Sequence, residues 1–247
     1  DDFRAHDLIK ALVNPEISAV WCLRGGWGSQ RLLPALAKVS QPQIAKFFIG
    51  LSDITSLHVF LNQHWGWQTL HGPVLERMGK GVPPASEKLI LQILKGETTK
   101  WSCHRLKPLN LAAKDQQIKG KIVGGNLTVL QTGIGTDWQV NPAGKILFIE
   151  DVHERGYRID RMLTQFEQSG LLKKCEGILL GDFTLSEEPG NKPSLLPKVW
   201  KSWASQLKIP IWSGVPSGHG NQQWTLGLNM NCTINSTEKS GSLHVSI

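Results

Sequence analysis

The sequence predicts an α/β protein organised as two units, and three observations carry that reading. At 247 residues it exceeds the ~150 of a typical domain. Strand-like apolar runs alternate with helical patterns through the first half, the order that parallel sheets with crossover helices require. A basic stretch then intervenes before a second set of strands opens at Gly124-Gly125-Asn126. A hydrophobic fraction of 40% and 27 Lys+Arg against 20 Asp+Glu, a formal charge of +7, exclude a disordered chain. No apolar run approaches the ~18 residues of a membrane span, so no membrane partner is expected.

Phe3 to Val13 reads as a helix, with Leu8, Ile9 and Leu12 at helical spacing. Ile17 to Leu23 is β-rich and stops at Arg24-Gly25-Gly26. Leu32, Leu33 and Leu36 mark another helical stretch, then come the strand Phe47–Ile49 and a helix from Asp53 to about His64. Between Lys95 and Lys121 seven basic residues face only Glu97 and Asp115, a net of +5. This predicts a solvated basic linker over 96–121, separating a unit at 1–95 from one at 122–247. In the second unit, strands are expected near Leu127–Gln131, Lys145–Glu150, Ile178–Gly181 and Ile211–Val215, with shorter ones from Trp224 onward. Its clearest helix is Tyr157–Gln168, where Ile159, Met162, Leu163 and Phe166 fall at i, i+3, i+4 and i+7 and Gly170 ends the pattern.

Residues 1–7 show no basic or apolar segment of a signal peptide. Cys22, Cys103, Cys175 and Cys232 form no C-x-x-C pair, which argues against a zinc knuckle and a disulfide framework. Reduced thiols in the cytoplasm and no metal are the expectation. Sequons at Asn126, Asn231 and Asn235 carry little weight without a sign of secretion.

Four segments could carry chemistry, each following a predicted strand. In Gly50-Leu51-Ser52-Asp53-Ile54 a serine lands on the turn between strand and helix, the setting of a nucleophile elbow, although the second glycine of G-x-S-x-G is absent. On this segment alone a helix cap is the favoured reading of Ser52, and His58 on the apolar helix face reads as a buried core histidine. Arg24-Gly25-Gly26-Trp27-Gly28 allows close backbone approach to a substrate, or is a tight turn; it lacks the spacing of a nucleotide loop. Glu150-Asp151-Val152-His153-Glu154 puts a carboxylate where it could orient an imidazole, against the alternative that Asp151 and Glu154 complement the following helix. A metal cluster there is disfavoured, with no H-E-x-x-H and no second close histidine. Pro216-Ser217-Gly218-His219-Gly220 frees His219 of steric cover, as a proton-transferring imidazole needs. Ser52, Glu150 and His219 thus each end a strand of an α/β framework, where such folds gather ligands.

Seven ordered runs resemble the LD-carboxypeptidases, the family of murein tetrapeptide carboxypeptidases and microcin C self-immunity proteins. They are Leu23–Gly28, Phe48–Thr55, His71-Gly72-Pro73, Gly124-Gly125-Asn126, Ile146–Asp151, Tyr157–Leu163 and Gly218-His219-Gly220. The resemblance implies a Rossmann/flavodoxin-like parallel-sheet domain bearing the nucleophile and a C-terminal α/β domain bearing a glutamate and a histidine. It implies Ser52 as nucleophile, His219 as general base and Glu150 as its orienting acid, with backbone N–H groups of Asp53 and of the Gly25/Gly26 turn holding an oxyanion. The implied reaction releases terminal D-alanine from a murein peptide in cell-wall recycling, without a cofactor, with closure between domains as a gate and a homodimer by family analogy. A microcin-type substrate, a peptidyl-nucleotide, is the close variant; the run Tyr157–Leu163 favours the murein branch. Two departures stand out: the strand and helix that usually precede the segment matching Phe3 are not in this sequence, and Trp27 stands where Tyr is usual. From another class, the basic charge and ten Trp invite a nucleic-acid-binding module. No nucleic-acid partner is expected, because the bases cluster in the predicted linker rather than among aromatics on one face.

Overall fold

The computed structural model describes residues 1–190 and 192–247. The chain begins with helix α1 (Asp2–Val13), strand β1 (Ala19–Trp21), the short helix α2 (Leu33–Leu36), strand β2 (Phe47–Gly50), helix α3 (Thr55–His64) and strand β3 (Thr69–His71). Helices α4 (Leu75–Lys80) and α5 (Pro84–Leu94) follow. Then come β4 (Lys100–Pro108), β5 (Gln117–Asn126), α6 (Leu127–Thr132), β6 (Ile146–Val152), α7 (Gly156–Gln168), β7 (Gly177–Thr184), α8 (Leu196–Gln206) and β8 (Ile211–Ser213). Strands β9 (Leu226–Leu228), β10 (Asn231–Ser236) and β11 (Gly241–Ser246) complete it.

The strands form two sheets. The first has the order β1-β2-β3-β9, with β1, β2 and β3 parallel and β9 antiparallel on β3. The second closes into a seven-stranded barrel in the order β10-β11-β4-β8-β7-β6-β5, whose run β5 to β8 is parallel. The α/β expectation therefore holds, with parallel strands in both sheets, but β9 joins the first sheet antiparallel and the second is a barrel closed by antiparallel strands that periodicity did not suggest.

Local sequence explains the elements. Strand β6 is buried along Ile146–Asp151, as a strand covered on both faces requires. Helix α7 buries Ile159, Met162, Leu163 and Phe166, the predicted stripe, against α6, α8 and the parallel strands. A second core lies under α1, α2 and α3, and a third fills the barrel and continues beneath the first sheet through Ile49 and Leu70.

Two expectations fail here. The basic stretch is not a linker: it carries β4 and most of β5. In β5 Ile118 and Gly120 face inward while Lys119 and Lys121 face solvent, so the charge is the wet outer face of a barrel strand rather than a solvated connector. The strand expected at Leu127–Gln131 is helix α6 instead, because Asn126 caps it, its Oδ1 accepting from Val129 N at 3.1 Å. That segment's strand lies earlier, in β5.

Candidate active site

Ser52 follows β2 directly. Leu51 is fully extended, Ser52 turns to φ +67°, and a 3-10 turn at Ser52–Ile54 leads into α3. A left-handed serine is strained for a residue with a Cβ, so the fold holds this side chain at some cost. It does not cap the helix: no side-chain cap bond is made, and among the described residues Ser52 Oγ has no hydrogen-bond partner, His219 Nε2 included. The reading favoured on the segment alone is thereby replaced.

The Gly25/Gly26 turn lies alongside. A Cβ on Gly25 would sit 3.0 Å from Ser52 Cβ and 3.3 Å from its Oγ, so any side chain there would press on Ser52 and push it by a few tenths of an ångström. Asp53 is buried with its carboxylate turned away, accepting from Ser29 N at 2.9 Å while its carbonyl accepts from Ser29 Oγ. The Asp53 side chain thus ties the two turns together. Gly26 adopts φ +115° beside the Arg24 guanidinium.

Glu150 stands at the other side of the site, fully buried on β6. The β6–β7 register shifts between Ile149 and Asp151, a bulge that re-aims the side chains on either side of it. The two consecutive carboxylates then part company. Asp151 accepts from Thr128 N at 2.9 Å, Thr128 Oγ1 at 2.8 Å, Asn126 Nδ2 at 3.0 Å and Val152 N at 2.8 Å, so it serves α6 rather than the later helix α7. Glu154 pairs with Arg158 one turn on, at 3.4 Å. Glu150 Oε2 instead accepts from His219 Nδ1 at 2.7 Å. Burial by itself would raise the Glu150 pKa; the hydrogen bond from His219 and the neighbouring His71 outweigh it and hold the group at about 2. Burial likewise presses the His219 pKa down, but the Glu150 bond and charge prevail and raise it above its usual value.

The loop carrying His219 is pinned. Gly218 takes φ +127°, and a Cβ there would lie 2.6 Å from Glu150 Oε2. Asp182 on β7 donates its N–H to the Ser217 carbonyl at 2.9 Å and accepts from Gly220 N at 3.2 Å. Burial pushes the Asp182 pKa up to about 6. The Ser52 turn is docked on the same barrel edge, since Thr55 Oγ1 accepts from Asn126 N at 2.9 Å and Asn126 is the register partner of Glu150.

His58 is the buried histidine expected, donating Nε2–H to the Gly50 carbonyl at 2.9 Å, with burial pressing its pKa to about 3. Sequence reasoning gave no role to Asp182 or to His71. No short motif marks Asp182, and His71 was visible only as part of His71-Gly72-Pro73. Among the described residues no group of three or more His, Cys, Asp or Glu could hold a metal ion, and no helix is long and apolar enough to cross a membrane.

Comparison with known proteins agrees with this architecture. Residues 1–72 match the LD-carboxypeptidase N-terminal domain and residues 119–234 the LD-carboxypeptidase C-terminal domain, which defines the chain as a peptidase. It belongs to the LD-carboxypeptidase family. It is 35% identical to the murein tetrapeptide carboxypeptidase of Pseudomonas aeruginosa over 237 residues, 91% of this chain and 75% of that protein. The crystal structure of muramoyltetrapeptide carboxypeptidase from Oxalobacter formigenes superposes with a TM-score of 0.84 at 29% identity, covering 100% of this chain and 85% of that one. The microcin C7 self-immunity protein of Escherichia coli is 27% identical over 271 residues, 97% of this chain and 77% of that protein.

Proposed function

We propose that this chain is a serine LD-carboxypeptidase that releases terminal D-alanine from murein tetrapeptides during cytoplasmic cell-wall recycling. The observation that carries the catalytic reading is the buried Glu150–His219 bond at 2.7 Å, which commits Nδ1 and leaves Nε2 for proton transfer. Ser52 Oγ attacks the carbonyl carbon of the amide as its proton passes to His219 Nε2. The oxyanion that forms is held by backbone N–H groups of Asp53 and of the Gly25/Gly26 turn, the side from which Gly25 abuts Ser52. Collapse breaks the C–N bond, His219 returns the proton to the departing D-alanine amine, and water repeats the sequence on the acyl-enzyme. The four cysteines are unpaired, in keeping with a reducing compartment.

Ser52→Ala tests this: release of D-alanine from a purified tetrapeptide should fall at least ~10³-fold. A variant as active as the unsubstituted protein would overturn the assignment. A peptidyl-nucleotide substrate is the second reading, favoured by the 27% identity to the self-immunity protein over almost this whole chain. Parallel kcat/KM measurements on the two substrates separate them, and a higher value for the tetrapeptide is expected.

A further inference from the structure

We propose that His71 is a second histidine on the Glu150 carboxylate, a positioning residue that holds the general base's partner from the other domain; this rests on the Ser52–His219–Glu150 reading. His71 ends β3 in the first sheet, fully buried, whereas Glu150 lies on the barrel. Its ring meets Phe148 edge-on at 5.1 Å and His58 at 6.3 Å. Nε2 faces Glu150 Oε1 at 3.7 Å, just beyond hydrogen-bond length, and both atoms are buried with no other partner. Nδ1 lies 3.2 Å from Ser217 Oγ, two residues before His219 in the pinned loop.

One tautomer satisfies every group. With the proton on Nε2, His71 donates to Oε1, while Nδ1 accepts from the Ser217 hydroxyl. A buried polar atom left unpaired is costly, so a small approach that completes the Nε2 contact is favoured. The alternative tautomer would aim a lone pair at a carboxylate. Glu150 then receives a donor on each oxygen: His219 on Oε2, from the loop it orients, and His71 on Oε1, from the sheet that carries Ser52. His71 thereby links the domain of the nucleophile to the carboxylate and, through Ser217, to the loop of the base.

The consequence is electrostatic as well as geometric. Two donors share the carboxylate charge; removing one leaves more of it for His219, whose imidazolium becomes easier to form. The charged and titratable groups around the pair are His58 on α3, Asp182 on β7, Asp151 on β6 and Arg77 on α4. None of them supplies a donor to Oε1.

The experiment compares His71→Phe, which keeps the ring contact with Phe148, and His71→Gln, which restores an N–H donor, with Ser52→Ala as control. For D-alanine release, His71→Phe should lower kcat/KM about 10–100-fold, the range expected for loss of a hydrogen bond to a charged group. Its acid limb should move to higher pH, and His71→Gln should recover part of both effects. An unmoved limb in folded His71→Phe, or a Gln variant no better than Phe, overturns the proposal. In the unsubstituted protein, ring ¹⁵N shifts should report His71 protonated on Nε2 and bare on Nδ1 at neutral pH; the opposite tautomer also overturns it, whether or not either variant folds. Ser52→Ala that stays active would instead sink the parent reading.

Discussion

At the scale of single residues the site is a set of commitments made by burial. Glu150 is ionised inside the protein because it is bonded, not because it is solvated, with its pKa at about 2 against an ordinary 4.5. His219 is raised above its ordinary 6.5 by the same contact. In the proposed role of general base His219 must be neutral, so kcat/KM should climb with pH through a value above 6.5. Glu150→Gln removes the charge: the limb should move to lower pH and kcat should fall about 10³–10⁴-fold, read in a pH–rate series. An upward or absent shift would exclude Glu150 as the source of the raised basicity. Stability responds with opposite signs at the two groups. The Glu150 contribution is present above 4.5 and lost as pH falls toward 2, while that of His219 is present below 6.5 and lost as pH rises through its raised value. Gly25 makes a steric counterpart. Its alanine variant would place a methyl 3.3 Å from Ser52 Oγ, so activity should drop about ten-fold or more while the urea midpoint changes little.

At the scale of elements the question is what aims these residues. Helix α6 has only six residues, too few to stand on propensity, and Asp151 supplies its start with three hydrogen bonds. Asp151→Ala should cost about 2–4 kcal/mol in urea unfolding, since it strands several buried donors; a loss under ~1 kcal/mol would show that water replaces the carboxylate there. Legibility follows the same physics. Helix α7 and strand β6 were readable because their burial is periodic or continuous over a long stretch. Ser52 stood out by its turn straight after a strand, Glu150 by the apolar run before it and His219 by its flanking glycines. Only Ser52 sits just past its strand end, since β6 runs on to Val152 and β8 stops at Ser213. Strands β4 and β5 were not readable, because a one-sided wet strand studded with lysine resembles a linker when its partners β10 and β11 are more than a hundred residues away. His71 and Asp182 were illegible for a related reason: their roles consist of distances to residues 79 to 146 and 35 to 38 positions along the chain.

At the scale of the whole molecule the two sheets are interlocked rather than strung in sequence. After the barrel strand β8 the chain returns to the first sheet, where Leu226 to Leu228 form β9 against β3, before closing the barrel with β10 and β11. Leu226 and Leu228 are fully buried in the core that also holds Ile49, Leu70, Ile90 and Ile93 from the first half and Phe148, Trp212 and Leu243 from the barrel. Opening either sheet therefore exposes apolar surface of the other, and neither has a complete core alone. Unfolding should be a single transition, with the calorimetric and van't Hoff enthalpies equal and Trp fluorescence coincident with circular dichroism. Leu228→Ala leaves a cavity where the sheets meet and should lower stability by about 2–5 kcal/mol while keeping one transition. Two resolved transitions, with the substitution moving only one of them, would mean that β9 is an appendage to an independent first domain. A single shifted transition would mean that the sheet carrying Ser52 and the barrel carrying Glu150 and His219 hold their relative positions only while both are folded, so damage to β9 removes the site and the fold together.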